Sequence, residues 1–130
     1  MNDPRFNHLF QPIKIGRMEL KNRIVMPSML TCCASRGGKV TSRLKNYYEA
    51  RAKGGVGLII LGAAYVHLRG RRRPLQLAIV NDHVIPTLRE LVECLHKHGV
   101  KVAAQFFHAG FLSPENPIAP SIGGKLIQYE

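Results

Sequence analysis

Three short sets of residues hold most of the chemistry this chain can offer. Pro27-Ser28-Met29-Leu30 follows the apolar run Ile24-Val25-Met26. Gly62-Ala63-Ala64 follows a second run, and Gln105 sits inside a third, with His108-Ala109-Gly110 just beyond. The sets are small or neutral, with one amide. No paired carboxylates stand ready for glycosidase-type acid–base work. No spacing of His, Cys, Asp or Glu reads as a metal site. No catalytic residue and no metal ligand is therefore assigned. Neutral walls plus an amide suit a flat heterocycle with a polar edge, because glutamine offers both a donor and an acceptor. A glutamine at a strand end is at least as often a structural residue bonding a loop carbonyl. The residues alone leave both readings open.

These residues can act together only if strands deliver them to one place. Residues 23–26 read as a first strand, stopped by Pro27, which cannot donate to a ladder. Residues 56–61, VGLIIL, are apolar on both faces, as a parallel strand covered on both sides requires. Residues 100–107 form the third. Helices separate them. Thr41 can cap the first, Leu44, Tyr47, Tyr48 and Ala52 recur at helical spacing, and Gly54-Gly55 stops it. The second runs from Val84 or Pro86 to His98, with Leu88, Leu91, Val92 and Leu95 as its apolar stripe. Gly99 ends it, and His96, Lys97 and His98 sit in the last turn, where positive charge opposes the helix dipole. Ahead of all this, Ile13, Ile15, Met18 and Leu20 flank Gly16-Arg17, the signature of a glycine-first hairpin turn. The tail, residues 113–130, is rich in Pro and Gly and reads as loop.

Hairpin, then β-α-β-α-β, is the rhythm of repeated βα units, in a doubly wound sheet or a TIM barrel. A dinucleotide-binding sheet wants G-x-G-x-x-G after its first strand. PSMLTCCASRGGK lacks it, and GGKV fails as a phosphate loop because Val40 replaces the Ser or Thr and Cys33 the first glycine. The barrel is favoured, with active groups at the carboxyl ends of its strands.

With 130 residues and 45% hydrophobic content the chain is of globular type. No apolar run approaches a membrane span, and the N-terminus lacks a secretory pattern. Cys32, Cys33 and Cys94 make a poor disulfide framework, which points to a reducing cytoplasm. The formal charge is +11. Its densest run is RGRRRP, residues 69–74, without interleaved aromatics for stacking on bases. The expectation is a solvated loop, or charge balanced by acidic partners or by missing chain, ahead of an anionic small molecule, and no specific nucleic acid.

The phrases LF-P-IG---LKNRIVM, GGVGLII-GAA-V, H-HG-K-AAQFFHAG and APS resemble the N-terminal part of the Old Yellow Enzyme superfamily, the NADH:flavin oxidoreductases. The PSM at residues 27–29 is nearest the 2,4-dienoyl-CoA reductase and bile-acid-operon branch. The resemblance implies an FMN-dependent TIM (βα)8 barrel, with residues 1–130 as an N-terminal fragment of about three strands. It implies FMN contacts from Pro27, Ser28, Met29, Leu30, Ala63 and Gln105. Leu30 falls where the family often places a side chain that hydrogen-bonds the flavin, which leucine cannot do. Phe111 stands where HAG usually continues to Arg, and His108 reads as structural. The implied reaction passes a hydride from NADH or NADPH through the flavin to an activated C=C bond, in an enone or enoyl-CoA. An iron–sulfur cluster would belong only to a further C-terminal region. Small-molecule substrates are expected, no membrane, and oligomer formation is left open. The alternative is an inactive truncated remnant, or an interaction module of the same fold.

Overall fold

Glycine decides the opening turn. In the computed structural model, which describes residues 4–115 and 117–119, β1 (Ile13–Ile15) pairs antiparallel with β2 (Met18–Leu20). Gly16 takes φ 57° and Arg17 does not follow it into the left-handed region. That is the glycine-first turn the sequence calls for.

The chain then lays down β3 (Val25–Met26), α1 (Ser42–Lys53), β4 (Leu58–Tyr65), α2 (Ile85–His96) and β5 (Lys101–Phe107). The last three strands form one parallel sheet in the order β3-β4-β5. Each crossover carries one helix, as parallel neighbours require. The expected βα units are present, with shifted edges. The first strand shrinks to Val25–Met26, where Met26 pairs with Ile59. The second starts later than residue 56 and runs past Gly62 to Tyr65.

Both helices are held by the devices their sequences advertise. The Thr41 hydroxyl accepts the Leu44 N–H at 3.2 Å and donates to the Cys33 carbonyl at 2.5 Å. Gly54 keeps helical dihedrals, and Gly55 takes the positive φ of 94° that closes α1. Leu44, Tyr48 and Ala52 form its buried stripe, facing Leu91 and Leu95 of α2 and Met26, Ile59 and Leu61 of the sheet. Each fully buried Leu or Ile side chain contributes about 1.5–3 kcal/mol, so this layer between helices and sheet is the main stabilising element. His98 differs from its expected dipole role. It turns toward α1, where Nε2 lies 3.4 Å from the Glu49 carboxylate, while Lys21 Nζ donates to its carbonyl at 2.7 Å.

The other face of the sheet is open. Ala103 and Gln105 of β5 are exposed, and Ala103 pairs with half-buried Ile60. Part of the tail expected as loop, and Pro120 and Ser121 of the APS phrase, lie outside the described residues.

Candidate functional site

A break in the β4–β5 ladder shapes the carboxyl end of the sheet. Leu61 pairs with Ala104 and Ala64 with Phe106, so Gly62 and Ala63 together stand opposite Gln105 alone. Two residues against one is a bulge, and bulges re-aim the chain at strand ends. Here glycine is required. Gly62 has φ 131°, and a Cβ on it would lie 2.9 Å from the Ala64 nitrogen and 3.0 Å from both the Gln105 carbonyl oxygen and Ser28 Oγ. The Gly62–Ala63 peptide is cis. The sequence reading placed Gly62-Ala63-Ala64 beyond the second strand. The strand instead absorbs them, because Tyr65 pairs with Phe107 and bridges to Ala78, burying Ala64 and Tyr65.

The same contacts gather three of the predicted site residues. Ser28, Ala63 and Gln105 meet around Gly62. Pro27, Met29 and Leu30 belong to the turn that carries Ser28 and are exposed there. Two polar groups at this place stand unused. Ser28 Oγ is buried without a hydrogen-bond partner, and the Gln105 side-chain amide has none among the described residues. A buried hydroxyl left unpaired costs about 1–3 kcal/mol, so one kept in a native fold marks a place where a ligand, a water or an ion completes it. The amide offers a donor and an acceptor, and Met29 and Leu30 offer apolar surface. The set fits a flat heterocycle with a polar edge.

Two side chains that sequence reasoning did not assign hold the bulge. The Tyr48 hydroxyl accepts the Gly62 N–H at 3.2 Å. Burial raises the Tyr48 pKa above its usual value; the bond from Gly62 works against this, and Tyr47 and Cys33 add to it. Gln76, only 1% exposed, donates from Nε2 to the Ala63 carbonyl at 2.9 Å. Its Oε1 accepts the N–H groups of Arg72 at 2.9 Å and Arg73 at 3.3 Å. Tyr48 was visible only as one member of a helical stripe. For Gln76 the one available signal was a polar residue flanked by Leu75 and Leu77.

The basic run is built into the rim. A 3-10 turn, Leu68–Gly70, opens it, with His67 Nδ1 accepting the Arg69 N–H. Arg71 pairs with Glu115, Arg72 donates to the Leu112 carbonyl at 2.7 Å, and Ser113 Oγ donates to the Arg71 carbonyl. The His108 ring packs on Gly70, where a Cβ would meet it at 2.6 Å, and its Nδ1 accepts the Gly110 N–H. That matches the structural reading of His108. Among the described residues no group of His, Cys, Asp and Glu could hold a metal, and no helix is long and apolar enough to cross a membrane.

Known proteins resemble this chain in sequence and in fold. The family model for NADH:flavin oxidoreductase / NADH oxidase matches residues 8–121. An NADH oxidase of Thermoanaerobacter brockii is 41% identical over 123 residues, covering 89% of this chain and 19% of that protein. An NADPH dehydrogenase of Listeria welshimeri is 40% identical over 116 residues, covering 87% and 34%. Among solved structures, the Old Yellow Enzyme from Pichia sp. AKU4542 superimposes with a TM-score of 0.76 at 29% identity, over 82% of this chain and 28% of that one. A 2-naphthoyl-CoA reductase in complex with 2-naphthoyl-CoA gives 0.80 at 28% identity, over 83% and 16%. The chain thus spans about a third or less of these relatives.

Proposed function

The chain belongs to the NADH:flavin oxidoreductase / NADH oxidase family, and on that premise we propose that it forms one wall of an FMN site in an ene-reductase. Its sheet and helices are the N-terminal portion of the TIM barrel seen in the Old Yellow Enzymes. We read residues 1–130 as part of the FMN-binding barrel domain. The observation that carries the proposal is the unpartnered, buried Ser28 hydroxyl beside Gly62 and Gln105 at the carboxyl ends of three parallel strands. Bound flavin supplies hydride transfer, from NADH or NADPH to the activated C=C bond of an enone or enoyl-CoA. The 2-naphthoyl-CoA complex of one structural relative supports the acyl-CoA side of that class.

This chain's residues bind and orient. Gln105 pairs its amide with the polar edge of the ring. Ser28 donates or accepts where it now has no partner. The Ala63 backbone approaches the ring edge, which the bulge allows. Pro27, Met29 and Leu30 lay apolar surface along the ring and exclude water. Leu30 makes no hydrogen bond to it. The three free cysteines fit a cytoplasmic setting.

The test is Gln105→Leu in the flavoprotein that carries this chain. The leucine leaves a ring edge unpaired, at about 1–3 kcal/mol, so FMN binds roughly tenfold or more weakly. An FMN titration with unchanged affinity shows that Gln105 is structural and removes the reading.

A further inference from the structure

We infer that Gln76 is a positioning residue of this site, setting where Ala63 stands and locking the arginine loop to it. The inference rests on the flavin reading above. The bulge takes Gly62 and Ala63 out of register with β5. Two side chains from outside the sheet grip it instead. Tyr48 takes the Gly62 N–H from the helix layer, and Gln76 takes the Ala63 carbonyl from the loop after β4. With its carbonyl held by Gln76, Ala63 can turn only its remaining surface toward a ligand.

Gln76 meets the requirements of this role in a way few residues could. It is almost fully buried, and both ends of its amide are used: one donor to Ala63, and one oxygen shared by two successive N–H groups. The Arg72–Arg73 backbone and the bulge are therefore joined through one planar group. Arg72 is further tied to the Leu112 carbonyl, and Arg71 to Glu115, both in the segment after β5. A shift of the arginine loop must move Ala63, and a shift of Ala63 must move the loop. A residue that merely filled a gap would need neither the donor nor the acceptor. Leucine or methionine would serve it.

The experiment uses the flavoprotein that carries this chain, with Gln76→Met and Gln76→Glu beside Gln105→Leu. Gln76→Met keeps the length and removes every hydrogen bond. It should weaken FMN about tenfold and shift the visible band of the flavin at saturation. Gln76→Glu keeps the acceptor for Arg72 and Arg73, but donates to Ala63 only when protonated. At pH 9, where the carboxyl is ionised and has no donor for Ala63, its FMN affinity should fall below the parent's at the same pH. That variant also decides the matter if Gln76→Met does not fold. Parent-like affinity and spectrum in Gln76→Met, with Gln105→Leu still weakened, would overturn this inference and leave the flavin site standing. Parent-like affinity of Gln76→Glu at pH 9 would overturn it too. If Gln105→Leu also binds FMN like the parent, the site reading fails, and this inference with it.

Discussion

Replacing Tyr48 by phenylalanine isolates one hydrogen bond at the base of the site. The ring is buried, packs edge-on against Tyr47 at a centroid distance of 5.3 Å, and belongs to the core stripe with Leu44 and Ala52. Phenylalanine keeps that ring and its packing, so the cavity term is close to zero. What is lost is the acceptor for the Gly62 N–H, 3.2 Å away and buried. Stranding a buried donor costs about 1–3 kcal/mol. Removing the hydroxyl also removes its own desolvation cost, which places the net loss near the lower half, about 1–2 kcal/mol. With a urea slope of about 1–3 kcal/mol per molar, the unfolding midpoint should fall by roughly 0.3–2 M. The adjacent Tyr47→Phe is the control. Its hydroxyl has no partner among the described residues and its ring lies under Arg51 at 3.8 Å. It should change stability by no more than about 0.5 kcal/mol. The same tyrosine predicts an alkaline arm. The Tyr48 pKa is raised in the fold from 10.0. Above that pH the unfolded chain releases the proton more readily, so stability is full below pH 10 and falls as pH rises toward the folded value. Tyr48→Phe should flatten that fall. Equal midpoints for Tyr48→Phe and the parent would mean that the Gly62 N–H is satisfied by another route, and that Tyr48 does not hold the bulge.

Glu49 gives the acid counterpart. Its carboxyl is held below its usual pKa of 4.5, by the bond from Lys53 first and by His98 second. The stability it adds is present above pH 4.5 and is lost as pH falls through the depressed value. In Glu49→Gln that part of the acid profile should be missing, and the matching loss at neutral pH should be small because the pair is solvent-facing. A parent-like acid limb in a pH series of urea melts would remove the argument. The arginine run at residues 69–73 should bind DNA weakly at most, with affinity that collapses as salt rises, since only phosphates would be read. Sequence-dependent binding at physiological salt, measured by fluorescence anisotropy, would overturn that.

Much of the architecture follows from local chemistry. Gly16 between alternating apolar residues makes the hairpin, Thr41 and Gly55 bound α1, and Gly99, with φ 66°, closes the turn after α2. These signals act between near neighbours, so a sequence carries them openly. Apolar runs separated by helices, one of them apolar on both faces, suit a parallel sheet, which puts Ser28 and Gln105 at the same end of it. The family resemblance then attached a ligand to that end. The tertiary structure decided what depends on partners distant in sequence. β4 passes through Gly62 because β5 and Ala78 are there to pair with Ala64 and Tyr65. His98 faces Glu49, 49 positions earlier, rather than serving only the dipole of α2. Tyr48 and Gln76 read as a stripe member and a loop polar residue. Their hydroxyl and amide gain a role only when folding sets them against Gly62 and Ala63, 14 and 13 residues away. Hydrogen bonds of this kind are fixed by distance and angle in three dimensions, and no propensity or periodicity along the chain encodes them.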